Sequence, residues 1–406
     1  MKILYVNPCY WGGGAEKIAR QLYLGLKDKN IQTFFLAGRY QENIPKHVDV
    51  IYDTILQRGV SAALGIINHN VLFRTFRARK KIIDIIQKEK IDIVHFHNIH
   101  GNYLGPLDLK AIRKYCPNLV FTMHDMWLLT GCCPYAMECE KWTNLQRCYE
   151  CTGNSFLKRG TKRASVYLRC KEKSFVNSNY ILTSPSKWLI NCCKKSYLKD
   201  EKIFLIPNGI DIDVFYPRDK NEVRKKYGIP LDKNILMFSA HKIDSPYKGV
   251  KYMLEALTRL KDTEKYCLLT VGTHAKEIGF PYEMINVGFV DDDNTMSELY
   301  AAADVFITTS MADNFPLTVL ESMASGTPVL AFQTGGIPEA ITEETGWIVK
   351  QGNSVALAEK IEDIFGRKEE LISMGKQCRK HIEEKYSLIK MLDKYRELYE
   401  KILDEK

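Results

Sequence analysis

Two acidic residues, Asp313 and Glu321, are separated by seven residues in the segment 313–341. Pro316 lies between them where a helix would begin, because the N–H that proline lacks would have no partner at the first helical position. The amides of residues 317–319 would then point out of the helix start, where the aligned peptide dipoles favour an anion such as a diphosphate. Glu321 could accept hydrogen bonds from a ribose diol. A surface helix with a proline start and an ordinary glutamate explains the same residues equally well.

The glycines Gly12, Gly13 and Gly14 lie directly between a predicted strand and a predicted helix. Without side chains they let the backbone approach a bound phosphate or sugar closely. In an NAD site an acidic residue would close the second strand about 20 residues further on. Arg39 follows that strand here, so we do not expect a dehydrogenase.

Histidines end two of the predicted strands. His124 lies near the end of LVFTMHD (119–125), and ligands of open α/β folds gather at the carboxyl edge of a parallel sheet. His95, His97 and His100 form a second cluster in the segment HFHNIH. We expect His95 and His97 to be mainly structural, on the expectation that they point to opposite sides of their strand. A metal site built from this cluster is not expected for the same reason.

The chain has 12 cysteines and no recognisable export signal, which indicates a reducing compartment with free thiols or metal ligands. Five of them lie in the segment 131–151, and Cys133, Cys139, Cys148 and Cys151 are candidates for a structural zinc site. The last two are separated by two residues, the gap typical of a zinc knuckle, but the two pairs are spaced more loosely than in standard sites. Structural zinc and free thiols therefore remain alternatives.

These residues must be positioned by two runs of alternating strands and helices, and such alternation predicts parallel sheets. The first run has strands at 2–7, 31–38, 91–97, 119–125 and 180–185. The second run has strands at 234–240, 266–272, 284–290, 304–310 and 328–333, with helices at 249–260, 296–303 and 317–325.

A chain of 406 residues exceeds a single ordinary core, so we expect two domains. The first is predicted over 1–190, with the cysteine-rich insertion at 131–151. A linker over 191–217 leads to the second domain, predicted over 218–385. The last residues, 386–406, are expected to form a helix that can cross back to the first domain.

Charge is distributed unevenly along the chain. Residues 1–190 contain 28 Lys+Arg against 14 Asp+Glu, whereas the rest contains 30 against 35. Much of the basic excess lies in 71–90, which resembles a basic amphipathic helix that can lie on an anionic membrane surface. A docked helix with a solvated basic face is equally consistent with this pattern. No recognition module accompanies the charge, so nucleic-acid binding is not expected.

The chain is expected to be cytoplasmic, with at most peripheral contact with the inner membrane face. Its N-terminus MKILYVN lacks an apolar signal region, and no run of about eighteen apolar residues occurs.

The tract DNFPLTVLESMASGTPVLAFQTGGIPEAI (313–341) resembles glycosyltransferase family 4, and the resemblance spans nearly the whole chain. The family's two acids separated by seven residues match Asp313 and Glu321. In the family the first acid contacts the donor sugar, the second contacts the nucleotide ribose, and the amides between them hold the phosphates. Asp313 stands where glutamate is usual, which shortens the reach to the sugar hydroxyls by one methylene group.

The resemblance extends to Lys248 in SPYKGVKYML (245–254), which matches the family's diphosphate-binding lysine and would neutralise charge on the departing diphosphate. His241 and Lys242 are candidates for the arginine usual upstream. His124 matches the family's histidine that faces the donor sugar. The catalytic residues implied are His124, Asp313 and Lys248. The donor-binding residues implied are Gly13, Gly14, Lys248, Asp313, Asn314, Phe315, Pro316, Leu317, Thr318 and Glu321.

The resemblance implies the α/β fold called GT-B, in which two Rossmann-like domains with parallel sheets face each other across a cleft. It implies a retaining transfer from a nucleotide diphospho-sugar to a saccharide, without a required cofactor. The cysteine-rich insertion resembles one found in polysaccharide-building members and is expected to shape the acceptor side. The basic first half suggests a lipid-linked acceptor. A sugar-nucleotide epimerase or hydrolase of the same fold, and a non-catalytic partner protein with a decayed site at Asp313, remain alternatives.

Overall fold

The computed structural model describes residues 1–28, 30–52, 76–100, 103–144, 161–273 and 283–405. The chain divides into two compact units, one formed by Met1–Pro207 and Leu392–Lys406 and the other by Asn208–Met391. The chain therefore enters the second unit within the segment 191–217 and returns to the first unit at Leu392. In the described part of the chain, no helix is both long and apolar enough to cross a membrane.

The sheet of the first unit is entirely parallel. Its strands are β1 (Lys2–Asn7), β2 (Gln32–Arg39), β3 (Asp49–Tyr52), β4 (Ile93–Phe96), β5 (Leu119–Thr122), β6 (Ile181–Ser184) and β7 (Ile203–Leu205). They are arranged in the order β3-β2-β1-β4-β5-β6-β7. Every residue of β4 and β5 is buried, as expected for parallel strands covered on both faces. The strand order reverses between β1 and β4, whose carboxyl ends therefore flank the crevice in which such sheets bind ligands.

The helices described in this unit are α1 (Gly14–Gly25), α2 (Phe76–Glu89), α3 (Pro106–Arg113), α4 (Thr161–Phe175) and α5 (Lys187–Lys194). α2 contains most of the basic segment singled out in the sequence. Ala78, Ile82 and Ile86 of α2 are buried in the core of the unit. On the solvent side, Lys81 Nζ lies 3.1 Å from Asp49 Oδ1. The structure thus favours a docked helix with a solvated basic face for α2, whereas residues 71–75 lie outside the described residues.

The second unit also contains one parallel sheet. Its strands are β8 (Asn234–Lys242), β9 (Tyr266–Thr273), β10 (Met284–Gly288), β11 (Val305–Thr308), β12 (Val329–Phe332) and β13 (Gly346–Val349), in the order β10-β9-β8-β11-β12-β13. Its helices are α6 (Lys220–Tyr227), α7 (Val250–Leu257), α8 (Asp293–Ala302), α9 (Leu317–Ala324), α10 (Ile337–Ala340), α11 (Ser354–Gly366) and α12 (Glu370–Lys385). The strand order reverses between β8 and β11.

A buried carboxylate fixes α6 to the start of this sheet. Asp304, which is 4% exposed, lies 2.9 Å from Arg224 Nη2 and 2.9 Å from Lys220 Nζ. It also accepts a hydrogen bond of 2.8 Å from the backbone N–H of Ile235. Burial raises the pKa of Asp304, but the two cations outweigh that effect and hold its pKa below the ordinary value. This ionic cluster joins the amino ends of β8 and β11.

The last helix, α13 (Leu388–Asp404), begins in the second unit, and its residues from Leu392 onward belong to the first. Tyr395 and Tyr399 are buried in the first unit. Tyr399 Oη lies 2.6 Å from His95 Nδ1, and Tyr395 Oη lies 2.9 Å from Thr122 Oγ1. The end of the chain therefore completes the buried hydrogen bonding of the first sheet.

Candidate active site

In the second unit the candidate residues follow two neighbouring strands. Lys248 lies in the loop after β8, and residues 313–318 lie in the segment after β11. β8 and β11 are adjacent and parallel, and the strand order reverses between them. The fold thus brings both segments to the sheet edge where open α/β folds bind ligands.

The loop carrying Lys248 is fastened to the segment after β11. The hydroxyl of Thr309 donates to the carbonyl of Lys248 at 2.9 Å, and the N–H of Met311 donates to the carbonyl of Tyr247 at 2.8 Å. Gly249 has a φ of +63°, and a Cβ atom there would lie 2.1 Å from the carbonyl oxygen of Thr309. Only glycine fits this approach, so the position of Lys248 is fixed by the backbone beside it.

Lys248 and Asp313 form an ion pair. Lys248 Nζ lies 3.0 Å from Asp313 Oδ2, with side chains that are 31% and 14% exposed. Asp313 Oδ1 accepts a hydrogen bond of 3.0 Å from the N–H of Asn314. His241 and Lys242, the candidates for a further cation, are exposed at the end of β8. The contact between Lys248 and Asp313 was not predicted from the sequence.

The start of α9 lies immediately after this pair. Pro316 is the N-cap residue, with φ −69° and ψ 133°, and Leu317 is the first helical residue. The prediction that Pro316 occupies the first helical position is therefore wrong by one residue, because its ψ is extended although its φ suits a helix. No side chain caps this start among the described residues, and the first amides of a helix have no partner within it. Asn208 Nδ2 holds the preceding backbone by donating to the carbonyl of Phe315 at 2.8 Å.

The segment Gly335-Gly336, which follows β12, contacts the loop that carries Asp313 and Asn314. Gly336 N–H donates to the carbonyl of Asn314 at 2.7 Å. Gly335 has a φ of +55°, and a Cβ atom there would lie 1.7 Å from the carbonyl oxygen of Asp313. This close approach requires glycine, and it fixes the backbone that carries Asp313.

Glu321 is 7% exposed, so the alternative of an ordinary glutamate on a surface helix is wrong. Apart from Thr318, every residue of α9 is buried. The hydroxyl of Tyr300 donates to Glu321 Oε2 at 3.3 Å and lies 3.2 Å from Ser239 Oγ. Burial, reinforced by the charge of Glu321, raises the pKa of Tyr300 well above its ordinary value, so this hydroxyl stays protonated as a donor.

In the first unit the glycine loop follows β1. Gly13 is the N-cap residue of α1, Gly14 is its first residue, and both are exposed. The side chain of Gln41 holds the chain just before them, since its Oε1 accepts from the N–H of Trp11 at 2.9 Å and its Nε2 donates to the carbonyl of Trp11 at 2.8 Å. The backbone of both glycines is therefore accessible on a fixed loop.

The expectation that His95 and His97 point to opposite sides of their strand is wrong. Residues two apart in a strand lie on the same face, and the two rings are buried with centroids 4.3 Å apart. His95 is bonded at both nitrogens, to Tyr399 at 2.6 Å and to Thr122 Oγ1 at 2.7 Å. His97 Nδ1 lies 2.9 Å from His124 Nε2. His97 therefore contacts His124, the histidine assigned to the candidate site, whereas His95 has a structural role.

Burial disfavours the charged forms of His95, His97 and His124. Burial, with neighbouring histidines, lowers the pKa values of His95 and His97 well below the ordinary value. Burial also lowers the pKa of His124 to about 4, although the carboxylate of Asp125 acts in the opposite direction. His100 Nε2 lies 3.4 Å from Asp125 Oδ2. An uncharged His124 can donate or accept a hydrogen bond but does not supply a positive charge.

The chain matches two protein-family models that divide it near the boundary between the units. Residues 12–214, half of the chain, match the model described as Glycosyltransferase Family 4. The chain belongs to this family. Residues 219–381 of this family 4 glycosyltransferase match the model described as Glycosyl transferases group 1.

Three relatives of the enzyme match over most of its length. The N-acetyl-alpha-D-glucosaminyl L-malate synthase of Bacillus anthracis is 23% identical over 99% of this chain and 98% of its own. The UDP-Gal:alpha-D-GlcNAc-diphosphoundecaprenol alpha-1,3-galactosyltransferase of Escherichia coli is 22% identical, over 81% and 80%. The putative colanic acid biosynthesis glycosyl transferase WcaC of Escherichia coli is 25% identical, over 88% and 90%.

Two solved structures show the fold. The sucrose-phosphate synthase of Thermosynechococcus elongatus superposes with a TM-score of 0.77 at 18% identity, over 100% of both chains. The Anabaena protein HepE, crystallised with UDP-glucose, superposes with a TM-score of 0.68 at 16% identity, over 99% of this chain and 100% of its own. The predictions of a GT-B fold with two Rossmann-like domains and of a glycosyltransferase are confirmed.

The zinc hypothesis for this glycosyltransferase stays a prediction. Cys133 and Cys139 are half-buried thiols, whereas Cys148 and Cys151 lie outside the described residues. Within the described ranges, no group of three or more histidine, cysteine or carboxylate side chains is arranged to hold a metal ion.

Lys171 of α4, a residue that the sequence analysis did not single out, contacts the loop before Cys133. Lys171 is fully buried. Its ammonium group donates to the carbonyls of Trp127, Thr130 and Gly131, the second at 2.9 Å and the third at 3.4 Å. It also lies 3.5 Å from the centroid of the Trp127 ring. The Nζ group of Lys171 thus satisfies the carbonyls of the turn after β5.

Sequence reasoning also missed two residues that support the second-unit site. Tyr300 belongs to a predicted helix, where an aromatic residue is ordinarily assigned to the core. Asn208 belongs to an Asn-Gly pair that indicates a turn, and this signal gives no information about the residue that its side chain will contact. Each makes its contact through the tertiary fold, so local patterns do not reveal it.

Proposed function

We propose that this enzyme transfers a sugar from a nucleotide diphospho-sugar to a saccharide acceptor with retention of configuration, and that its second unit binds the donor. The observation that carries the proposal is the buried carboxylate of Glu321 on the first turns of α9. Burying a carboxylate costs free energy unless hydrogen bonds compensate it. The two hydroxyls of a ribose diol would donate hydrogen bonds to Glu321 in addition to the hydrogen bond from Tyr300.

The donor diphosphate is proposed to lie at the start of α9. The amides of residues 317–319 and the helix dipole favour an anion there, and Lys248 is fixed at the same sheet edge. In the structure Lys248 is paired with Asp313. A bound diphosphate would compete for the ammonium group and release a carboxylate oxygen of Asp313 for the sugar hydroxyls. Asp313 would then influence which sugar is accepted.

In the proposed reaction the bond between the anomeric carbon and the diphosphate oxygen breaks. The acceptor hydroxyl forms the new glycosidic bond on the same face, and its proton passes to the departing phosphate oxygen. Lys248 and the amides of α9 stabilise the charge on that phosphate, and the rest of the rate enhancement comes from positioning the reactants. His124 contributes a hydrogen bond as a neutral group.

The acceptor is proposed to be a lipid-linked saccharide used in surface polysaccharide assembly at the cytoplasmic membrane face. The names of two relatives support this, since one acts on a diphosphoundecaprenol-linked sugar and the other is assigned to colanic acid biosynthesis. The solvated basic face of α2 would contact anionic lipid. Vesicle flotation tests this part alone: equal binding to anionic and zwitterionic vesicles would contradict it.

The donor is identified by a thermal-shift panel of UDP, GDP, ADP and their sugars, because a ligand of the folded state raises its stability. Glu321→Ala is expected to weaken donor binding by about a hundredfold to ten-thousandfold, since two hydrogen bonds to a charged group, at roughly 1.5–3 kcal/mol each, contribute about 3–6 kcal/mol together. Glu343→Ala, at an exposed position of the same unit, is the control and should bind the donor normally. Unchanged affinity in Glu321→Ala would refute the role of Glu321.

The two alternative functions predict different results when the same protein is incubated with the same nucleotides and nucleotide sugars. A sugar-nucleotide epimerase or hydrolase would convert the donor completely without an acceptor. A non-catalytic protein with a decayed site would be stabilised by none of the nucleotides.

A further inference from the structure

The two histidines at the carboxyl ends of β4 and β5 form a close pair. These strands are adjacent and in register, with Phe96 opposite Phe121. The ring planes of His97 and His124 are inclined by only 19°, and the ring centroids are 5.2 Å apart. His97 Nδ1 lies 2.9 Å from His124 Nε2, which is a hydrogen-bond distance.

One proton must lie between these two nitrogens, and the surroundings decide which ring carries it. His97 is fully buried, and its Nε2 has no hydrogen-bond partner among the described residues. If His124 donated, a neutral His97 would carry its own proton on Nε2 and bury an unpaired N–H. If His97 donates, its Nε2 is an unpaired acceptor instead. Among buried backbone groups, orphan donors are rarer than under-satisfied acceptors, and applying the same order to the imidazole favours donation by His97.

We propose that His97 is a positioning residue: it donates from Nδ1 to Nε2 of His124 and holds His124 as the neutral tautomer protonated at Nδ1. The proposal rests on the proposed function for its catalytic meaning, since that function gives His124 its role. Nε2 of His124 is then occupied as an acceptor and is not available as a general base. A group that faces Nδ1 meets a hydrogen-bond donor.

The residues behind His97 hold it in this orientation. The ring of His95 packs against His97, and both nitrogens of His95 are occupied by Tyr399 and Thr122. The ring of Tyr5, from β1, lies 6.1 Å from that of His97. His95 itself is thus held by hydrogen bonds to β5 and α13.

In the described part of the chain, ionisable groups lie on both sides of the pair. His95 and Tyr5 lie beside His97, whereas Asp125 and His100 lie beside His124. Burial keeps both members of the pair neutral near pH 7. The tautomer should therefore be unchanged between pH 6 and 8.

The test is a long-range proton–nitrogen NMR spectrum of the full chain labelled with ¹⁵N-histidine, recorded without substrate. The signals of His124 are assigned by their absence in His124→Asn. The expected spectrum shows His124 with a protonated Nδ1 and an unprotonated Nε2 throughout pH 6–8. A His124 protonated at Nε2, or one that titrates in this range, would overturn the proposal.

Two substitutions of His97 separate donation from packing. His97→Phe keeps an aromatic ring but removes the donor, so His124 should shift to the tautomer protonated at Nε2. His97→Asn offers an amide donor near the position of Nδ1 and should restore the original tautomer. Identical His124 signals in the two variants would contradict the proposal.

Tyr399→Phe is the matched control, because it removes a buried hydrogen bond from His95 without removing the donor to His124. It should leave the His124 tautomer unchanged, and a loss of the tautomer in Tyr399→Phe would contradict donation by His97. Absence of nucleotide-sugar binding in the wild type would refute the proposed function while leaving the tautomer result intact.

Discussion

Replacing Gly335 by alanine is expected to displace the loop that carries Asp313. The left-handed φ of +55° at this position costs a residue with a side chain about 1–2 kcal/mol. The new Cβ atom, 1.7 Å from the carbonyl oxygen of Asp313, must also push the two backbone segments apart. This movement would break the 2.7 Å hydrogen bond from Gly336 to Asn314, and an unpaired buried group costs about 1–3 kcal/mol. Together these effects give a loss of about 2–5 kcal/mol in the free energy of unfolding.

Gly228 provides the matched control for this substitution. Its φ is +66°, and no atom lies within 4 Å of a Cβ atom placed there. Gly228→Ala should therefore lose only the conformational part, about 1–2 kcal/mol, and bind the donor normally. Urea denaturation and calorimetric titration with the nucleotide sugar measure both variants. Equal losses of stability together with unchanged donor affinity in Gly335→Ala would refute the reasoning.

Three further predictions concern charged side chains. Asp304→Asn should lower the free energy of unfolding by about 3–5 kcal/mol at pH 7, because it removes the negative charge that compensates the buried guanidinium of Arg224. The pKa of Asp304 is depressed in the folded state, so its contribution is present above the unfolded pKa. It is lost as the pH falls below about 4, and urea denaturation at pH 3–7 should show the difference from wild type shrinking there. Lys171→Met should lose about 2–4 kcal/mol and change the fluorescence of Trp127, whereas an unchanged emission spectrum would contradict the packing described. Lys248→Met should weaken binding of the nucleoside diphosphate by about tenfold or more but leave binding of the nucleoside alone unchanged. Calorimetry with both ligands distinguishes the loss of charge neutralisation from a general loss of the site.

The strands that the sequence predicted are mainly the interior ones. β3, β7 and β13 were not predicted, and each lies at an edge of its sheet. They have four, three and four residues, and every residue of β7 is only half-buried. An edge strand is paired on one side only and is commonly short, so it needs fewer apolar residues and leaves a weaker pattern in the sequence.

The candidate site could be predicted only where its geometry is local. The spacing of Asp313 and Glu321 placed both acids around the start of one helix, and the structure has that helix. The pair of Lys248 with Asp313 joins residues 65 positions apart, so it depends on which strands become neighbours. The error for His97 had a different cause, since it followed from assigning the wrong face to residues two apart in a strand.

The return of α13 to the first unit has a consequence for the order in which the protein can fold during synthesis. Residues 1–207 leave the ribosome first, but the hydroxyls that close His95 and Thr122 belong to Tyr395 and Tyr399. The second unit, by contrast, is one continuous segment, Asn208–Met391. Domains ordinarily fold in the order in which they are synthesised. Here the first unit to emerge is the last that can be completed, and until then Nδ1 of His95 lacks the hydroxyl of Tyr399 as its partner.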